Sequence, residues 1–212
     1  MATTGVASRL NALLEKAGLQ PLDAGTAAKF EIYISLFVRW NARLNLSAIR
    51  DEGQILSRHI VESIVVASAL PAEITSLLDF GSGAGLPGIP IALCRPEVDV
   101  TLAESQSKKA AFLREAVRVL AISAQVHADR AEALGSVFDC VVLRAVEKMP
   151  KAVAAAVKLV AQGGWLAVMT TEKGLAGLKT AAGAEFRWRE TVPLPESHNR
   201  LLAIGQRVNL KV

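Results

Sequence analysis

Two hydrophobic rhythms divide the chain near residue 72. In the first part apolar residues recur at helical spacing: Leu10, Leu13 and Leu14, then Phe30, Tyr33, Ile34, Phe37 and Val38, then Ile60, Ile64, Val65 and Ala67, up to a stop at Pro71. Apolar positions three and four apart predict amphipathic helices, and no stretch here alternates as a half-buried strand does. From residue 75 onward short β-rich runs take over, "SLLDFG", "VDVTLAE", "AQVHAD", "FDCVVLRA" and "GWLAVMT", with helical patterns between them. That alternation predicts a parallel sheet covered on both faces and joined by right-handed crossovers. The last two runs, "FRWRETVPL" and "RLLAIGQRV", have no helix between them and are expected to pair antiparallel at one sheet edge. The expected architecture is therefore α/β: residues 1–72 as a helical cap, and residues 73–212 as a compact unit around a seven-stranded, mostly parallel, Rossmann-like sheet.

Composition agrees with a globular chain. Of 212 residues, 51% are hydrophobic, enough to bury a full core. No apolar run reaches the roughly 18 residues that a membrane helix needs, and the first residues lack the charged start and apolar block of a signal peptide. A protein of the cytoplasm without a membrane partner is expected. The two cysteines, Cys94 and Cys140, are far apart in apolar surroundings and read as small core residues, so neither a disulfide framework nor a metal site is expected. The net charge of +4 lies wholly beyond residue 74, because residues 1–74 balance seven basic against seven acidic side chains. A charge that mild does not by itself identify a nucleic-acid partner.

Chemistry enters at "LLDFGSGAGLPGIP", residues 77–90. In an open α/β sheet, ligands bind at the carboxyl ends of the strands where strand order reverses, and glycines there let the backbone turn and approach closely. Two cofactor classes use this device. "GAGLPG", read from Gly83, matches the dinucleotide pattern G-x-G-x-x-G, and Glu104 ends the next strand where a ribose-binding acid belongs. Read from the strand, the turn is instead D-x-G-x-G-x-G, with Asp79, Gly81, Gly83 and Gly85, which looks like the S-adenosylmethionine loop of class I methyltransferases. In that reading Glu104 binds the ribose hydroxyls, and "ADRAE" (residues 128–132, with Asp129, Ala131 and Glu132) grips the adenine. Each acid also has a plain structural reading: Asp79 as a turn cap, Glu104 as a solvated strand end.

The segment after the fourth strand, "VVLRAVEKMP", contains neither Asn/Asp-Pro-Pro-aromatic nor Pro-Cys, the groups that would hold an exocyclic amine or attack a pyrimidine. An acceptor that is already nucleophilic fits better. Guanine N7 is one: its lone pair needs alignment at roughly 3–3.5 Å more than it needs a base.

"WNARLNLSAIRD" (40–51), "SRHIVESI" (57–64), "GLPGIPIAL" and "LRAVEKMP" together resemble the bacterial family of ribosomal RNA small subunit methyltransferase G, also called RsmG or GidB, over roughly residues 8–208. The resemblance implies N7 methylation of one guanine in the 530 loop of 16S rRNA, with S-adenosylmethionine as donor. By position it implies cofactor contacts from Gly81, Leu86, Ala131, Glu132 and Arg144, with Glu104 on the ribose. Asn45, His59, Arg130, Arg144 and Arg200 would line the acceptor side, joined by Arg58 beside His59. Arg144, His59 and Asn45 are the catalytic candidates. The partner would be 16S rRNA in a 30S subunit or assembly intermediate, with the enzyme a monomer. Two departures stand out: "MTTEKG" replaces Leu-Lys-Gly after the fifth strand, displacing Lys173, and Ser47 replaces a threonine.

Overall fold

A computed structural model describes residues 5–146 and 148–209. The chain opens with helices α1 (Val6–Lys16) and α2 (Ala24–Leu44). Asp23 starts α2 by accepting from the amides of Gly25 (2.9 Å) and Thr26 (3.0 Å), satisfying donors that a helix N-terminus leaves free. Asn45 ends it in the left-handed conformation (φ 50°), which a short polar side chain tolerates. The next helix runs from α3 (Glu52–Gln54) through a π-helical segment (Ile55–Val61) into α4 (Glu62–Ala69). The spacing of Ile60, Ile64 and Val65 signals the helix but not the wider π turn.

An α/β succession follows: β1 (Ser76–Phe80), α5 (Gly88–Cys94), β2 (Asp99–Ala103), α6 (Ser107–Leu120), β3 (Ala124–His127), β4 (Phe138–Arg144), α7 (Met149–Ala156), β5 (Val160–Thr171) and α8 (Glu172–Ala182). The chain closes with β6 (Phe186–Trp188), β7 (Val192–Pro193) and β8 (Arg200–Arg207). Strand order is β3-β2-β1-β4-β5-β8-β6, with β7 also on β8. The first five strands are mutually parallel, and β8 runs antiparallel to β5, β6 and β7.

The last two runs pair antiparallel at one end of the sheet as expected, with β8 between β5 and the edge strand β6. One detail differs from the sequence reading. The sheet has eight strands, not seven, because the 186–194 run is broken. From Trp188 to Val192 the outer strand advances four residues while β8 advances only three, from Gly205 to Leu202, so the ladder lapses and resumes. Gly205 leaves space for the Trp188 ring, which an added Cβ would meet at 3.0 Å.

Strand period two assigns the two faces. Leu77, Val100, Leu102, Cys140, Val142, Ala167 and Ile204 form one face, packed with the apolar stripes of α1, α2, the π segment, α4, α5 and α6. Leu78, Phe80, Val141, Leu143, Leu166 and Val168 form the other, covered by α7 and α8. The N-terminal helices thus share one continuous core with one face of the sheet. Cys140 is buried in β4 and Cys94 is half-buried at the end of α5; both are free thiols. Among the described residues no helix is long and apolar enough to cross a membrane.

Candidate active site

Strand order reverses between β1 and β4, so the loops leaving these two strands diverge at their carboxyl ends, the place where open α/β sheets bind ligands. The β1 loop is the glycine turn. Gly81, Gly83 and Gly85 all have positive φ (73°, 56° and 80°), a backbone that side chains rarely allow. They are not equivalent: an added Cβ at Gly85 would strike Ile89 at 2.4 Å inside the core, whereas at Gly81 the nearest atom is a Val146 methyl at 3.4 Å. Gly85 therefore serves packing, and Gly81 and Gly83 keep the outer surface open.

Two buried acids hold this turn. Asp79, only 1% exposed, accepts from the Gly88 amide through Oδ2 (3.0 Å), and its Oδ1 has no hydrogen-bond partner among the described residues. Burial pushes its carboxyl up to about 7, with the Gly88 N–H pulling the other way. Gly88 has to be glycine because a Cβ there would lie 2.4 Å from Leu102 and 2.6 Å from Asp79 Oδ2. Glu104, 6% exposed, accepts from Gly83 N (2.9 Å) through Oε2 and from Gln106 N (2.7 Å) through Oε1. It is therefore tied to the glycine turn as well as ending β2. From α2, the buried Tyr33 hydroxyl donates to the Ala84 carbonyl at 2.6 Å, linking the cap directly to the turn.

The β4 side brings Arg144 against the π segment. Its Nη2 donates to the Arg58 carbonyl (2.6 Å) and to His59 Nδ1 (2.9 Å), and its Nη1 to Ser63 Oγ (3.3 Å) and the His59 carbonyl (3.4 Å). Because a guanidinium only donates, His59 Nδ1 accepts, and the ring proton sits on Nε2, which donates to Ser47 Oγ (2.7 Å). Burial, reinforced by the Arg144 charge, lowers His59 to about 4, so the ring is neutral at pH 7 with both nitrogens engaged. Glu62, 1% exposed on the next turn, faces two guanidiniums: Arg200 Nη1 at 2.7 Å from Oε1 and Arg144 Nη2 at 3.6 Å from Oε2.

Local folding ties the residues of the two N-terminal motifs to one another. The buried Asn41 amide donates to the Ile49 carbonyl (3.0 Å) and accepts from Ser47 N (2.8 Å), shaping the 45–50 loop so that Ser47 reaches His59. His59 and Ser63 are four residues apart and lie on one helical side, where the Ser63 hydroxyl donates to the His59 carbonyl at 2.6 Å. Motif reading passed over Asn41, Tyr33 and Glu62. The apolar neighbours of Glu62 (Val61, Ile64, Val65) were its signal, since a charge inside such a stripe needs a partner.

The other candidates are placed as follows. Asn45 is exposed and bonds to Arg50, so its direct contacts are in the loop, apart from the Arg144 cluster. The Arg58 side chain is exposed, and its carbonyl rather than its guanidinium meets Arg144. After β3, Asp129 accepts from Arg130 N (2.7 Å), Ala131 is buried, and Arg130 and Glu132 are exposed. Leu86 is buried in the glycine turn, and Lys173 is exposed on α8.

Comparison with known proteins bears on this geometry. The family model for GidB, rRNA small subunit methyltransferase G, matches residues 26–190. This chain belongs to that family. Curated relatives carrying the name ribosomal RNA small subunit methyltransferase G include one from Xanthomonas campestris pv. campestris (39% identical, covering 80% of this chain and 79% of the relative). Another, from Stenotrophomonas maltophilia, is 39% identical over 82% of each chain. Among solved structures, a methyltransferase from Pyrococcus furiosus superposes with a TM-score of 0.61 at 14% identity, over 83% of this chain and 97% of that one. TYW2 from Pyrococcus horikoshii, solved in complex with MeSAdo, gives 0.56 at 13% identity, over 69% and 62%. These structures share the fold with the GidB-family chain. Family membership decides between the two readings of the glycine turn: the chain is an rRNA methyltransferase, not a nicotinamide enzyme.

Proposed function

We propose that this protein transfers the methyl group of S-adenosylmethionine to N7 of one guanine in the 530 loop of 16S rRNA, acting in the cytoplasm as a monomer on the 30S subunit or an assembly intermediate. The observation that carries the reading is that the glycine turn with Glu104 and the Arg144 cluster meet at one strand-order reversal.

The residues present fit the donor. Glu104 spends one lone pair of each oxygen on backbone amides and keeps acceptor capacity for two ribose hydroxyls. The unpartnered Asp79 Oδ1, next to the turn, matches a cationic amino group reached directly or through water. Gly81, Gly83 and Leu86 would form the floor, and Asp129, Ala131 and Glu132 the adenine end. When bound, S-adenosylmethionine supplies an electrophilic methyl carried on a sulfonium.

N7 carries its own lone pair, so no proton has to leave it for the new bond to form. The ring of His59, neutral and hydrogen-bonded at both nitrogens, fits this: it orients Arg144 and does not act as a base. Arg144, Arg200 and the exposed Arg58 and Arg130 offer guanidiniums for phosphate or base stacking on the acceptor side. Residues 1–72 would serve as an acceptor-side cap. A-form helices hide N7 in a deep groove, which fits a target in a loop.

The test is to incubate the protein with labelled S-adenosylmethionine and 30S subunits from a strain lacking this enzyme, then map the label to a nucleotide and atom. Label at N7 of one 530-loop guanine is expected. Label on another atom, or none on 30S or free 16S rRNA, overturns the assignment.

A further inference from the structure

Glu62 is a buried carboxylate beside the buried polar His59 and Ser63, in a helix whose other neighbours, Val61 and Ile64 to Val66, are apolar. Burial raises its carboxyl, while Arg144, Arg200 and Arg58 pull it back toward the charged form. Packing alone would be served better by an apolar residue, because desolvating a carboxylate is costly unless partners compensate. Its partners are unequal. Arg144 is fixed by four further contacts, three to the π segment and one to Ser63 in α4, whereas among the described residues the Arg200 side chain is held by Glu62 and by Ser197 Oγ, 3.0 Å from its Nε. Arg200 Nη1 approaches Glu62 Oε1 at 2.7 Å without hydrogen-bond alignment, so Oε1 completes no hydrogen bond. Arg200 Nη2 has no hydrogen-bond partner among the described residues, and the side chain is 19% exposed. With His59 neutral, Arg58, Arg144 and Arg200 outweigh Glu62 by two positive charges.

We infer that Glu62 is a positioning residue that holds Arg200 beside the fixed Arg144, so that the two guanidiniums form a clamp for one phosphate of the acceptor RNA. This rests on the function proposed above. Without the carboxylate two like charges meet unscreened, and Arg200, the loosely held member, turns away. A phosphate accepts from the free Nη2 of Arg200, is attracted by the charge of Arg144, whose four Nη hydrogens are already committed, and supplies the charge that Glu62 alone does not.

The experiment is a double-mutant cycle of Glu62→Gln and Arg200→Gln, read by 30S binding, by kcat and KM for methyl transfer to unmethylated 30S, and by calorimetric cofactor affinity. Glu62→Gln should leave cofactor Kd within about twofold, lower kcat/KM for 30S by roughly 10- to 100-fold, and make Arg200→Gln cost less than about threefold further. Arg200→Gln alone should cost at least about tenfold and reduce the salt slope of 30S binding by about one. Equal losses for Arg200→Gln in both backgrounds, or wild-type kcat/KM in a folded Glu62→Gln protein, overturns the inference. Should Glu62→Gln not fold, Glu62→Asp keeps the charge and withdraws the carboxylate by one methylene; the same 30S-side loss is expected, and unchanged kcat/KM overturns it. A wild-type protein that binds 30S but transfers no methyl sinks the proposed reaction, while the binding cycle still decides the clamp.

Discussion

Removing one oxygen tests the link between cap and glycine turn. Tyr33 is fully buried on α2, and its hydroxyl donates at 2.6 Å to the Ala84 carbonyl, between Gly83 and Gly85. Tyr33→Phe keeps the ring packing and leaves that carbonyl without its donor. An unsatisfied buried acceptor costs about 1–3 kcal/mol, and in a chain of this size each kcal/mol moves Tm by about 2–4 °C, so Tm should fall by roughly 2 to 12 °C. The urea midpoint should fall with an unchanged slope, because the surface exposed on unfolding is the same. Burial also holds the Tyr33 pKa far above its ordinary value, chiefly by desolvation and then by the charge of Asp79. The folded pKa is raised, so the stabilisation is complete below the unfolded value of about 10 and is lost as pH climbs beyond it. Wild type should therefore lose stability above pH 10 more steeply than Tyr33→Phe. Cofactor affinity should weaken several-fold, because the carbonyl sits in the turn proposed as the floor of the donor site. A variant with Tm within 1 °C of wild type and the same cofactor affinity would refute the view that this bond sets the turn.

Other outcomes follow from the same geometry. Asp79 has a folded pKa raised to about 7, so its stabilising contribution is complete below the ordinary carboxylate range and is lost as pH rises through about 7. Asp79→Asn should gain on wild type in cofactor-free urea titrations by up to roughly 4 kcal/mol between pH 4 and pH 8, and a constant difference across that range would contradict the burial argument. Glu104→Gln should weaken cofactor binding at least about tenfold in calorimetry, since hydrogen bonds to a charged acceptor are worth about 1.5–3 kcal/mol, and unchanged affinity removes Glu104 from the ribose. Gly88→Ala, whose Cβ would press on Leu102 and Asp79, should cost about 1–3 kcal/mol, whereas Gly177→Ala, in α8 with nothing within 4 Å, should be neutral or stabilising in the same thermal melts.

Much of the fold was legible because burial follows period. Short β-rich runs set between helical patterns announced the parallel strands, and apolar residues three and four apart announced α1, α2 and α4. The position of β8 was not legible: nothing local says whether a closing strand inserts beside β5 or takes the edge, since that depends on which partner has free ladder groups after the sheet assembles. The π turn escaped for a similar reason. Its Arg58 and His59 carbonyls accept from Arg144, a residue 85 positions beyond His59.

The sequence by itself determined the glycine turn, because positive φ at Gly81, Gly83 and Gly85 is a property of the residues that supply it. It also marked Arg144, His59 and Glu104 through their place in motifs. Only tertiary structure decided what each side chain does there. Asp79 turns inward to Gly88, Asn45 caps a helix, Tyr33 reaches Ala84, and Glu62 lies between Arg144 and Arg200. Backbone conformation depends on the residue at hand. The charge state and the partner of a buried polar group depend on which distant groups the packed sheet brings within 3 Å.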